Sequence, residues 1–223
     1  MVDKKEILEA YCISNHIDYH CILLHGSQAI GFANQYSDYD YLIITRDKGK
    51  KIDTFLDNTH CKIQLEFLDL SSLEQLLMQY EDTLFDRISD LNLMAGRIHM
   101  SKMVVNRDDE VGKLMKHYRP FKQRSKLIEK FIYQAMNFYS DSKSSDFLLK
   151  KYSIDMMLRS LGVAYLISKD IYWLHLKWQH RFMEILLPVD MYEIYMRLLL
   201  ENAYYRDEDI VKYSKDLIQL IQE

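Results

Sequence analysis

Asp38 and Asp40 stand one residue apart at the head of "SDYDYLIIT", a stretch whose remainder is apolar enough for a buried strand. Residues two apart in a strand point to the same side, so both carboxylates aim at one spot. Two like charges held together in an apolar setting cost on the order of several kcal/mol each unless something positive answers them. Divalent magnesium is the natural answer, since it prefers carboxylate oxygens and completes its shell with water and substrate phosphates. Glu66, in "QLEFLDL" with apolar neighbours on both sides, could supply a third carboxylate from the next strand. Upstream, Gly26 and Ser27 follow the apolar run "CILLH" directly. A glycine ending a strand lets another group approach the backbone, and the amides that follow favour a phosphate. Ser27 adds a hydroxyl donor. These residues make half of a nucleoside-triphosphate site, with the carboxylates holding metal on the other half.

The elements that must position these groups are readable along the chain. Residues 3–15 open with an acidic cap and place Ile7, Leu8 and Tyr11 at helical spacing. "HCILLHG" reads as a short buried strand, "SQAIGFANQ" as a short helix or turn, and residues 39–45 as a second buried strand. "KIDTFLDN" is expected to be a short helix, and "CKIQLEFLDL" a third strand. Ser71 or Ser72 should cap an amphipathic helix over residues 71–89. Residues 96–105, "GRIHMSKMVV", read as a fourth strand before another helix. Beyond Pro120 the pattern is helix upon helix, over residues 124–139, 146–168, 175–187, 190–204 and 207–222, with aspartates suited to capping the last two. The expected architecture is therefore an α/β lobe with a small mixed sheet over residues 1–118, then an all-α bundle over 119–223.

Composition narrows the function classes. The chain has 223 residues, 48% hydrophobic and 28% charged, and no apolar run reaches the roughly 18 residues a membrane span needs. With acids and bases mixed through its first 15 residues, it reads as a cytoplasmic protein. Net charge is −4; 14 basic residues face 19 acidic ones before Pro120, and 15 face 14 after it. No run supplies the basic face that grips a nucleic-acid backbone, and "RPFKQRSK" is too short for one. Cys12, Cys21 and Cys61 are too few and too scattered for a disulfide framework or a zinc cluster, and read as buried thiols.

The segment "HGSQAIGFANQYSDYDYLII" resembles the signature of the DNA polymerase β-like nucleotidyltransferase superfamily: a Gly-Ser pair, about ten residues, then Asp-x-Asp in an apolar strand. The resemblance implies that Asp38, Asp40 and a third acid, Glu66, are catalytic and bind two magnesium ions, and that Gly26 and Ser27 form the phosphate-binding turn. The helical second half is similar to the bundle of aminoglycoside nucleotidyltransferases. Two departures stand out. Gln28 occupies a position where many relatives carry Arg, and the third acid is Glu rather than Asp; Asp69 is the rival, on the opposite strand face by parity.

The implied activity is transfer of a nucleoside monophosphate, AMP favoured, from a nucleoside triphosphate, ATP favoured, to a hydroxyl of a small molecule such as an antibiotic. A protein acceptor and a non-catalytic nucleotide-binding regulator are the alternatives. Glu66 could serve as metal ligand or as general base. Lys177, beside Trp178, matches the place where similar enzymes set a lysine near the nucleotide. Asp155 and Glu129 lie on apolar-striped helices with the cleft or solvent before them. His25 could approach the phosphates or sit in the core as a hydrogen-bonded histidine. The oligomeric state, a homodimer included, stays open.

Overall fold

The computed structural model describes residues 4–47, 52–56, 61–82, 90–120, 122–172, 174–200 and 206–222. They fall into two compact units, the first running to Lys122 and the second starting at Gln123. The first unit is α/β and the second is all helical.

In the first unit, α1 (Lys4–Ser14) precedes β1 (Tyr19–His25), the five-residue α2 (Gly26–Ile30) and β2 (Tyr39–Thr45). Next come β3 (Ile52–Leu56), β4 (Lys62–Asp69), α3 (Leu70–Asp82), α4 (Asp90–His99), β5 (Lys102–Asn106) and α5 (Glu110–His117). The strands form one mixed sheet in the order β3-β4-β2-β1-β5. β2 and β4 run parallel, while β1/β2, β1/β5 and β3/β4 are antiparallel.

Alternation along the central strands divides their side chains between two cores. Ile22, Tyr41, Ile43, Ile63, Leu65 and Phe67 join Leu8 and Cys12 of α1 on one face. Cys21, Leu23, Leu42, Ile44 and Leu68 join Leu73 and Leu77 of α3, Ile98 of α4 and Val111 of α5 on the other. Helices thus pack on both faces of the sheet, which is why β1 and β2 read as nearly continuous apolar runs, while β4 alternates apolar with polar residues.

Three local expectations are corrected. Residues 52–56 form a strand rather than a helix: Ile52, Phe55 and Leu56 mimic helical spacing, but the backbone pairs with β4, from Ile52↔Glu66 to Leu56↔Lys62. Residues 96–99 finish α4, where Ala95 and Ile98 are buried three apart, so β5 begins only at Lys102. The helix after β4 is capped by Asp69 rather than by a serine; its carboxylate accepts from the Ser72 amide at 3.0 Å, the Ser72 hydroxyl at 2.7 Å and the Ser71 hydroxyl. These bonds favour the charged form and pull the Asp69 pKa down to about 2. Of the thiols, Cys12 and Cys21 are buried and Cys61 is part-exposed.

The second unit comprises α6 (Arg124–Asp141), α7 (Phe147–Ser168), α8 (Leu176–Leu186), α9 (Val189–Leu200) and α10 (Asp207–Gln222). From Ser160 to Ile167 every residue of α7 is buried, which makes it the central rod, with α6, α8, α9 and α10 against it. Asp146 caps α7 by accepting from the amides of Leu148 at 2.8 Å and Leu149 at 3.1 Å. His175 caps α8 in the same way, its Nδ1 accepting from the Lys177 amide at 3.0 Å. Asp190 and Asp207 lie inside the first turns of α9 and α10 rather than at the caps, where their charge still suits the helix dipole. Among the described residues no helix is long and apolar enough to cross a membrane.

Candidate functional site

The β1–α2 junction and the start of β2 meet through one close approach. His25 pairs with Asp40 across the antiparallel ladder, and the chain then turns at Gly26 with φ +73°. A methyl group placed on Gly26 would overlap Asp40 Oδ2 and lie 3.1 Å from its Cγ. The Asp40 carboxylate therefore rests on the bare Cα, and only glycine supplies both that space and that backbone conformation. The approach to Asp38 is set by the 31–37 loop. There the Asn34 side chain accepts from the Tyr36 amide at 2.9 Å, and the Ser37 hydroxyl accepts from the Asn34 amide at 2.9 Å. Gln28 donates to the Ser37 carbonyl at 3.4 Å and ties α2 to that loop.

Glu66 reaches the same side through sheet register. Leu42 pairs with Glu66 and Asp40 with Gln64 in the parallel β2/β4 ladder, so Asp40, Leu42, Gln64 and Glu66 share one face. Asp69 lies on the opposite parity and is committed to capping α3.

The three acids act on one another electrostatically. Burial holds the Asp40 pKa above its usual value; Asp38 and Glu66 push it further up, while Arg97 and Lys62 oppose them. Both cations answer the acids directly. Lys62 Nζ lies 2.9 Å from Asp38 Oδ2, and Arg97 Nη1 lies 3.9 Å from Glu66 Oε1. With Asp38 turned to Lys62 and Glu66 to Arg97, no group of three His, Cys, Asp or Glu side chains among the described residues converges as a ready-made metal cage. The donor types and their shared face nevertheless suit magnesium, and the residual repulsion on Asp40 marks a place where added positive charge is favourable.

Sequence reasoning passed over both cations. Lys62 was legible, because "KIQLEF" sets Lys62, Gln64 and Glu66 on one side of the strand and Ile63, Leu65 and Phe67 on the other. Arg97 was hidden by reading residues 96–105 as strand.

The remaining candidates separate. Ser27 is half-buried on α2, and its backbone carbonyl accepts from Phe32 at 2.9 Å. His25 is 2% exposed, and neither ring nitrogen has a protein partner among the described residues. Burial, reinforced by Arg97, lowers its pKa to about 3, so it is a neutral core histidine that lacks the hydrogen bond expected of one. Lys177 belongs to the helical unit, exposed, with Nζ 4.8 Å from the Trp178 ring centroid. Glu129 is exposed on α6, and Asp155 lines a cavity within the helical unit.

No family model and no curated protein sequence matches this chain. A solved structure described as a nucleotidyltransferase-like protein from Exiguobacterium sibiricum 255-15 is similar at 16% sequence identity and a TM-score of 0.49. The similarity covers 99% of this chain and 75% of that one. Likeness at that level says nothing about activity.

Proposed function

We propose that the α/β unit is a magnesium-dependent nucleotidyltransferase that moves a nucleoside monophosphate, AMP from ATP, onto a hydroxyl of a small molecule. The observation that carries this reading is the seating of the Asp40 carboxylate on Gly26, beside two further acids whose charges it feels. Asp38, Asp40 and Glu66 would hold the magnesium, which supplies charge stabilisation for the triphosphate and the leaving pyrophosphate.

The chain's own groups account for the rest of the reaction. Gly26 seats the Asp40 carboxylate, and Ser27 offers a hydroxyl for the triphosphate. Lys62 and Arg97 neutralise the acids in the free protein and stand beside the anionic donor when it binds. In the transfer, an oxygen–phosphorus bond forms between the acceptor hydroxyl and the α-phosphorus as the bond to the β-phosphate oxygen breaks. The hydroxyl proton goes to a carboxylate, for which Glu66, its side chain 14% exposed, is the candidate.

Incubation with α-labelled ATP and pooled hydroxyl-bearing small molecules tests the reading. Label should pass to an acceptor with release of pyrophosphate. Asp40→Ala should keep the fold and lose roughly a hundredfold or more in rate, as expected when preorganised charge is removed. Near-normal turnover in that variant would refute the assignment.

A further inference from the structure

The helical unit contains a cavity of about 230 Å3 whose polar lining includes Asp155, Arg159, Gln179, His180 and Tyr195. Gln179 is 5% exposed, and its Nε2 donates to the carbonyls of Leu158 and Arg159, each at 3.3 Å. Those carbonyls only accept, so the amide must present its NH2 to α7, and Oε1 is left as an acceptor without a protein donor among the described residues. Gly162 makes room for this arrangement, since a methyl there would overlap Nε2 and sit 2.7 Å from Cδ. The α7–α8 contact is thus built around an amide that spends its NH2 on α7 and, among the described residues, keeps its oxygen for the cavity it lines.

Tyr195 repeats the pattern. It is 3% exposed, with its ring stacked on Tyr213 at 5.9 Å between centroids, and its hydroxyl makes no hydrogen bond to the described residues. Burial raises its pKa to about 12, so the phenol keeps its proton and can donate; Arg159 pulls the other way, which places the guanidinium charge nearby. Both groups line the cavity, so their free hydrogen-bonding capacity is offered to whatever occupies it. Asp155 and Arg159 stand one turn apart on α7 with opposite charges, a spacing that permits pairing. Yet neither has an ion-pair partner among the described residues.

These groups define a complement. Gln179 Oε1 and the Asp155 carboxylate call for N–H donors and positive charge. The Tyr195 hydroxyl and the Arg159 guanidinium call for an anionic acceptor. A simple phosphate would be repelled by Asp155 and a polyamine by Arg159. The volume falls below the roughly 300–1,000 Å3 of pockets for drug-sized ligands, so the occupant is small. We propose that this cavity binds a small zwitterion with ammonium and carboxylate on one carbon, as in a free α-amino acid, between Asp155, Arg159, Gln179 and Tyr195. The site lies wholly within the helical unit, and its assignment does not rest on the proposed nucleotidyl transfer.

Calorimetric titration of the full chain with each of the twenty amino acids, and with ethanolamine and acetate as half-ligands, tests the proposal. One or a few amino acids should bind, with both half-ligands weaker by roughly tenfold or more, as expected when a charged hydrogen-bond partner is lost. Asp155→Asn and Arg159→Gln, whose side chains lie outside the core, should each weaken binding by a similar factor while far-UV circular dichroism and Tm stay those of the wild type. Tyr195→Phe should weaken it less. Absence of binding by every amino acid at millimolar concentration would overturn the proposal. So would binding indifferent to both charge substitutions, or ethanolamine binding as tightly as the best amino acid.

Discussion

Gly26→Ala probes the contact on which the candidate site is built. At φ +73° an L-residue is disfavoured by about 1–2 kcal/mol. The new methyl would also overlap Asp40 Oδ2, with Cγ at 3.1 Å and Cβ at 3.2 Å, so the carboxylate must leave its seat, at a further cost of about 1–3 kcal/mol. The expected loss of stability is about 2–5 kcal/mol, measured by chemical denaturation and followed by far-UV circular dichroism. A double-mutant cycle separates the two parts. In an Asp40→Ala background the overlap with Oδ2 and Cγ is gone and only the 3.2 Å contact with Cβ remains, so Gly26→Ala should cost little more than the backbone penalty of about 1–2 kcal/mol. The coupling between the positions should therefore be about 1–3 kcal/mol. An equal cost in both backgrounds would show that Asp40 does not rest on Gly26, and the structural basis of the site would fall with it.

Two further perturbations follow from the carboxylates. Asp40→Asn should stabilise the fold at neutral pH, because burial and its acidic neighbours raise the Asp40 pKa and its ionisation opposes folding. A raised pKa means that the wild type is relieved as pH falls. The advantage of the variant should shrink as Asp40 protonates and vanish below the ordinary carboxylate value of 3.8; a gain independent of pH would contradict the electrostatic account. Asp69→Ala removes the α3 cap and should cost about 0.5–2 kcal/mol at neutral pH. Because the Asp69 pKa is depressed to about 2, that contribution is complete above 3.8 and is lost as pH falls toward 2, so unfolding curves of wild type and variant should converge there.

What could be read from the sequence was whatever local pattern decides. The apolar runs of β1 and β2 are buried on both faces and β4 alternates apolar with polar, and such strands announce themselves without partners; residues 39–45 are a strand at both ends as expected. Asp38 and Asp40 were conspicuous for the same reason, as charges in a place that otherwise excludes them. Where pairing decides, local pattern misled. β3 is an edge strand with Ile52 61% and Leu56 63% exposed, and its spacing alone reads as helix; only the ladder to β4 makes it a strand. The run 96–105 contains a real strand signal in Met103, Val104 and Val105, which spread backward over the end of α4. There the Ser101 hydroxyl closes the turn by donating to the Ile98 carbonyl at 2.7 Å. That misplacement concealed Arg97, whose position against Glu66 depends on α4 ending beside the sheet. The helical unit shows the same division. Its helices are legible from apolar spacing, but the seat of the Gln179 side chain against α7 exists only because residue 162 is glycine.

The central claim, that Asp38 and Asp40 form a metal-dependent triphosphate site with the Gly26–Ser27 turn, is met most directly by calorimetric titration. Each nucleoside triphosphate would be added to the full chain with and without magnesium, then to the Asp38→Asn, Asp40→Asn double variant. The account predicts magnesium-dependent binding, with ATP the tightest, that the double substitution abolishes while the fold is kept. Binding indifferent to magnesium and to the loss of both carboxylates, or no binding of any nucleotide by the wild type, would contradict it.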